Sequence, residues 1–150
     1  ESRGLGDVYK RQDMIGIHNL TENQIEEDLI KKISQKVLEE ERKKGDISLI
    51  FIGPGRMREL NKRYRRKNRV TDVLTFGEDL KEIVICLREV KKNARRFNLS
   101  FEEELARVLI HGILHLLGYD HEGSKKEAEK MRKKEEYYLK CFVQERKLKA

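Results

Sequence analysis

The sequence has no apolar run long enough to cross a bilayer. The longest candidate, Val108 to Tyr119, is interrupted by His111 and His115 and falls short of the roughly 20 residues a span requires. An integral membrane protein is therefore excluded and no membrane partner is expected. Cysteine is scarce: Cys86 and Cys141 stand far apart with no CxxC, so neither a disulfide framework nor a thiolate zinc site is indicated. No apolar signal segment opens the chain, which makes the cytoplasm the expected compartment. Internal repeats and low-complexity tracts are also lacking. Charge, by contrast, is abundant. Asp, Glu, Lys and Arg make up 41% of the 150 residues, and 34 basic against 27 acidic side chains give a net charge of +7. Apolar residues account for 37% and recur periodically, which excludes a disordered chain. The length suits one domain with a single core.

Residues 1–13 carry no clear period and precede Met14, a candidate native start; they are expected to be an extension, with one domain over 14–150. Met14 to His18 reads as a short strand, and the lone His18 within it reads as structural. Thr21 with Gln24 resembles a capping box opening a helix whose core face is Ile25, Leu29, Ile33 and Val37, stopped by Gly45. Ile47 to Ile52 is apolar on both faces and predicts a buried strand. Met57, Leu60 and Tyr64 mark a short helix, with Tyr64 expected in the core. Val70–Phe76 and Ile83–Leu87 predict two more strands, and Arg88–Phe97 a helix. Ser100 with Glu103 caps the next helix, striped by Leu105, Val108, Leu109, Ile113, Leu116 and Leu117 and ended by Gly118. Ser124 with Glu127 starts the last helix, with Ala128, Met131, Tyr138 and Phe142 inward. Strands come early and helices dominate late, which argues for an α+β fold of four strands and about five helices.

The segment most informative about chemistry is HGILHLLGYDH, residues 111–121. His111 and His115 stand at i and i+4 on a predicted helix, so both imidazoles leave one face within reach of a single ion at about 2.0–2.1 Å. Gly118 ends the helix three residues later, and the chain can double back to bring His121 to the same point. Three neutral nitrogen donors leave one tetrahedral position for water, the composition of a catalytic rather than a structural zinc site. Asp120 and Glu122 flank the third donor, and either could orient an imidazole. The spacing H-x-x-x-H-x-x-G-x-x-H is that of metzincin proteases, but those have a glutamate general base where this chain has Gly112. Glycine cannot accept a proton, so a metal-dependent peptidase must borrow its base from elsewhere.

Residues 56–70 carry eight basic side chains: Arg56, Arg58, Lys62, Arg63, Arg65, Arg66, Lys67 and Arg69. Glu59 is their one acid, so this window alone carries the net charge of the whole chain. Such concentration favours a polyanion footprint over a merely solvated face, with Arg58, Lys62, Arg63, Arg66, Lys67 and Arg69 as candidate nucleic-acid contacts. Five single-strand phosphate contacts would give a slope of about −3.5 in log K against log salt. Tyr64 could stack on a base, although its spacing fits the core better.

Together, HGILHLLGYDH and LNKRYRRKNRVTDVLTF (residues 60–76) resemble the YbeY family of bacterial endoribonucleases of ribosomal RNA maturation. The resemblance covers roughly Met14 to Val143. It departs from the family at Gly77, commonly proline, and at Lys81-Glu82, often Gly-Asp. It implies an α+β domain with a small mixed sheet packed by helices. It also implies one zinc ion held by His111, His115 and His121, and cleavage of single-stranded RNA in maturation of the small-subunit ribosomal RNA 3′ end. The family's functional arginine matches Arg65, so Arg65 and His111 are the candidate catalytic residues. Ribosomal RNA, the small ribosomal subunit and its proteins are the implied partners; DNA is not expected. Two further readings remain open, a metal-dependent peptidase and a non-catalytic RNA- or ribosome-binding module with a structural metal.

Overall fold

The computed structural model describes residues 15–65, 71–76, 81–120 and 122–149. The extension, Met14, Arg66, Lys67, Arg69 and His121 lie outside the described residues. Four strands form one sheet: β1 (Ile15–Asn19), β2 (Ile47–Ile52), β3 (Val73–Phe76) and β4 (Glu82–Cys86), in the spatial order β1-β2-β4-β3. β1, β2 and β4 run parallel, and β3 pairs antiparallel with β4 at one edge. Around the sheet lie five described helices: α1 (Glu27–Glu40), α2 (Pro54–Arg65), α3 (Leu87–Arg96), α4 (Phe101–Leu116) and α5 (Lys125–Lys149). The fold is α+β, as the order of sequence patterns predicts, and its sheet is mixed, as the family resemblance implies.

Alternation along the strands divides the interior into two layers. Leu49 and Phe51 of β2 stand opposite Ile83 and Ile85 of β4, and all four enter a large core shared with α1, α3, α4 and α5. Ile52, Val84, Cys86 and Leu74 turn the other way and are covered by Met57 and Leu60 of α2. The apolar-on-both-faces reading of β2 therefore holds. Its consequence is that α2 and α4 lie on opposite faces of the sheet. α4 is the central helix, packed by α1, α3 and α5 and against β3. Its Leu109, Ile110, Ile113 and Leu114 are fully buried.

The N-cap bonds of the two later capping boxes are formed. Glu103 N donates to Ser100 Oγ at 3.1 Å, and Glu127 N donates to Ser124 Oγ at 3.1 Å. The start of α1 differs from the expectation. Thr21 is held in a turn after β1, its amide and hydroxyl both donating to Asn19 Oδ1 (3.0 and 2.6 Å), while its Oγ accepts from Asn23 N. The helix therefore begins at Glu27, and its buried face is Ile30, Ile33, Ser34, Val37 and Leu38, with Ile25 and Leu29 only partly covered.

Three helices end in the same way. After α1, Lys43 N bonds to Leu38 O and Arg42 N to Glu39 O; after α3, Leu99 N bonds to Ala94 O and Asn98 N to Arg95 O; after α4, Tyr119 N bonds to Leu114 O and Gly118 N to His115 O. These are Schellman closures, with Arg42, Asn98 and Gly118 at positive φ. Gly118 fulfils the expected role. Gly45 does not stop α1, because Arg42 has already taken the left-handed position. Tyr64 also departs from expectation: it is 58% exposed, its ring edge-on to Phe76 at 5.2 Å, because Met57 and Leu60 already fill the small core beneath α2.

Candidate functional site

α4 presents a polar row along an otherwise buried cylinder. Arg107, His111 and His115 recur every four residues and share its outward face, while Gly112, Ile113 and Leu114 turn inward. At the foot of the row, Glu104 is wholly buried and accepts a forked pair from Arg107, Nε at 2.9 Å and Nη2 at 3.3 Å. That bond to Glu104, with Glu135 and Asp72 adding to it, raises the Arg107 pKa above its ordinary value. His111 is one turn further on, and its Nδ1 lies 2.9 Å from Glu135 Oε1 of α5. A carboxylate accepts from a ring N–H at this distance, and an imidazole that donates through Nδ1 keeps its Nε2 lone pair for a metal.

His115 ends the row as an exposed side chain on the last turn of α4. Beyond it the Gly118 closure turns the chain, and the residues flanking position 121 are both fastened. Tyr119 Oη donates to Glu41 Oε1 at 2.5 Å, and Glu122 N donates to Asp120 Oδ1 at 2.8 Å. Asp120 thus serves the turn, and the carboxylate that meets His111 comes from Glu135. The structure brings His111 and His115 onto one face. Among the described residues no cluster of three or more His, Cys, Asp or Glu is placed to hold an ion, the third expected donor, His121, being outside them. The donor chemistry nevertheless suits a borderline cation: two imidazoles at helical i,i+4 spacing, one with a carboxylate 2.9 Å from its Nδ1.

Glu135 was not singled out in the sequence, yet a signal was present. Ala128, Met131, Tyr138 and Phe142 follow a 3-4 spacing in which 135 is the missing inward position, so an acid stands in an apolar stripe. Gly112, for its part, points at the sheet rather than the site. A Cβ there would lie 3.1 Å from Ile83 Cγ2 and 3.6 Å from Val73 Cγ2. Position 112 cannot supply a general base in this fold.

Arg58, Lys62, Arg63 and Arg65 are exposed on α2, which packs on the other face of the sheet from α4, and Arg65 is its last residue. The chain then returns to β3, the edge strand whose Val73 packs into the α4 core. Arg66, Lys67 and Arg69 fall outside the described residues. No described helix is long and apolar enough to cross a membrane.

The comparisons agree with one another. A family model described as endoribonuclease YbeY matches residues 16–143. Proteins of that description are similar to this chain. The one from Thermodesulfovibrio yellowstonii is 50% identical over 102 residues, 62% of this chain and 64% of that relative. The one from Chlorobium phaeovibrioides is 42% identical over 134 residues, 85% of this chain and 90% of the relative. The solution structure of TM1509 from Thermotoga maritima superposes with a TM-score of 0.68 at 36% identity, covering 91% of this chain and 93% of that one.

Proposed function

The chain belongs to the YbeY endoribonuclease family, and from that premise we propose that it is a zinc-dependent endoribonuclease acting on single-stranded RNA in ribosomal RNA processing, with maturation of the small-subunit 3′ end as its task. The observation that supports the metal is the paired presentation of His111 and His115 on one face of α4. His111, His115 and His121 are the residues that would hold the ion. A divalent cation held there would supply positive charge for the phosphate and would lower the pKa of a water towards about 7.

The chain's own residues do the rest. Exposed cations of α2 draw the RNA backbone in, and the forked guanidinium of Arg65 pairs with two phosphate oxygens as negative charge grows on them. Tyr64, exposed among these cations, offers a ring on which a base can stack. On this reading Arg65, at the end of α2, reaches the phosphate from the other side of the sheet, and with a cation sharing the charge a dedicated carboxylate at position 112 is not required.

The test is incubation of the purified protein with single-stranded RNA, with and without chelator, beside the His115→Ala and Arg65→Ala variants. Cleavage is expected to need the metal and to vanish in His115→Ala. Arg65→Ala is expected to lose turnover more than RNA affinity, because neighbouring cations still hold the backbone. RNA binding without cleavage under every metal condition would replace the enzyme with a binding module.

A further inference from the structure

Glu135 is 24 positions from His111 and on a different helix, yet its Oε1 stands 2.9 Å from His111 Nδ1. Both side chains are largely covered, with 34% of His111 and 22% of Glu135 exposed, so the contact is partly screened from water. The placement is enforced by packing. Glu135 sits between Met131 and Tyr138, which are 0% and 3% exposed and seat α5 against α4. The cations near it have partners of their own: Arg132 bridges Glu129 and Glu136, Lys134 Nζ bonds Glu41 Oε2 at 3.0 Å, and Arg107 of α4, whose charge Glu135 also favours, forks onto Glu104. An acid in an apolar stripe, aimed at one nitrogen of one candidate ligand, is poorly explained as a surface ion pair.

Resting on the metal reading above, we infer that Glu135 is a positioning residue for the metal centre. It accepts the Nδ1 proton of His111, fixes the ring's rotation, and keeps the Nε2 lone pair available to a cation. A neutral imidazole in water favours the opposite tautomer, with the proton on Nε2. Without Glu135, binding an ion would first require that proton to move and the ring to be ordered. Carboxylates in this relation to a ligating imidazole typically contribute 10- to 100-fold in metal affinity.

The experiment uses the full-length protein and its Glu135→Ala, Glu135→Gln and His115→Ala variants. Zn2+ affinity is measured by competition with a chromophoric chelator. The His111 tautomer is read by long-range 1H–15N correlation at pH 8 after removal of the metal. Thermal melts of the metal-free proteins establish that each variant is folded at the temperature of measurement. In the wild type, His111 should carry its proton on Nδ1. Glu135→Ala should shift it to Nε2 and weaken Zn2+ binding by about 10- to 100-fold. Glu135→Gln should retain the wild-type tautomer through its amide oxygen and recover most of the affinity. A Glu135→Ala protein that is folded, keeps the wild-type tautomer and binds Zn2+ within threefold of wild type overturns the assignment. His115→Ala separates the two ideas. If it binds stoichiometric Zn2+ as tightly as wild type, the metal reading itself fails. If it loses Zn2+ while Glu135→Ala does not, only the role of Glu135 falls.

Discussion

Position 112 shows how one side chain, or its lack, limits the chemistry a helix can carry. The two histidines leave α4 on one face, and the residue after the first is turned roughly a quarter of the way round, towards β3 and β4. There the sheet approaches so closely that a Cβ would meet Ile83 Cγ2 at 3.1 Å. Gly112→Glu, the substitution that restores the protease motif, should therefore destabilise the fold by about 3 kcal/mol through overpacking and burial of a charge. It should also yield no cleavage of an unstructured protein substrate. Chemical denaturation and a casein digest check the two halves, and a stable, proteolytic variant would refute the packing argument. Tyr64 is the second residue whose role turns on orientation. Sequence spacing assigned it inward with Met57 and Leu60, but two side chains suffice to fill the small core, and the tyrosine is left exposed beside Phe76. Tyr64→Ala should cost RNA affinity about 1 kcal/mol or more, at least about fivefold, with little loss of stability. Unchanged binding to a single-stranded oligonucleotide would remove the ring from the interface.

At the scale of elements, what was legible was local and what was hidden was tertiary. Ser100 and Ser124 each cap a helix three residues ahead of an acid, and both hydrogen bonds are formed. α1 starts later than the Thr21–Gln24 spacing suggests because Thr21 finds Asn19, at the end of β1, before it can find a helix. Glu135 was missed because its partner lies on another helix, although its place in an apolar stripe marked it as anomalous. The helix C-termini carry a similar lesson: the glycine at 118 advertises a left-handed residue, whereas Arg42 occupies one with nothing in its chemistry to announce it, at φ 55°. An L-residue there costs about 1 kcal/mol, part of which glycine returns as unfolded-state entropy. Arg42→Gly should therefore stabilise the protein by about 0.5 kcal/mol. Gly118→Ala should destabilise it by about 1 kcal/mol or more, since φ is 103° there. Paired urea melts decide this, and equal signs for the two changes would contradict the assignment of these termini.

Across the whole molecule, one carboxylate ties together the parts that must hold the candidate site in shape. Glu41, just past α1, accepts hydrogen bonds from Tyr119 in the turn after α4 and from Lys134 and Tyr138 on α5. Burial alone pushes its pKa up, but those three donors outweigh burial and hold the carboxyl below its ordinary 4.5. The partners move accordingly. Burial and then the bond to Glu41 raise the phenols of Tyr119 and Tyr138, and the bond to Glu41 raises Lys134. Because the folded state binds the Glu41 proton less readily than the unfolded chain, its contribution is complete above about pH 5. It is lost as the pH falls through the depressed folded value, where both states are protonated. Removing the charge while keeping the shape should isolate this term from the other carboxylates of the chain. Glu41→Gln is expected to be less stable than wild type by about 2 kcal/mol at pH 7, since each bond it weakens is charge-assisted and mostly shielded from water. The difference should shrink towards pH 3, as the wild-type carboxyl takes up its proton and comes to resemble the amide. Urea melts of the two proteins from pH 3 to pH 7 measure it. A gap that stays constant across that range would mean that Glu41 acts through shape alone, and that the clasp joining α1, α5 and the turn before position 121 does not depend on its charge.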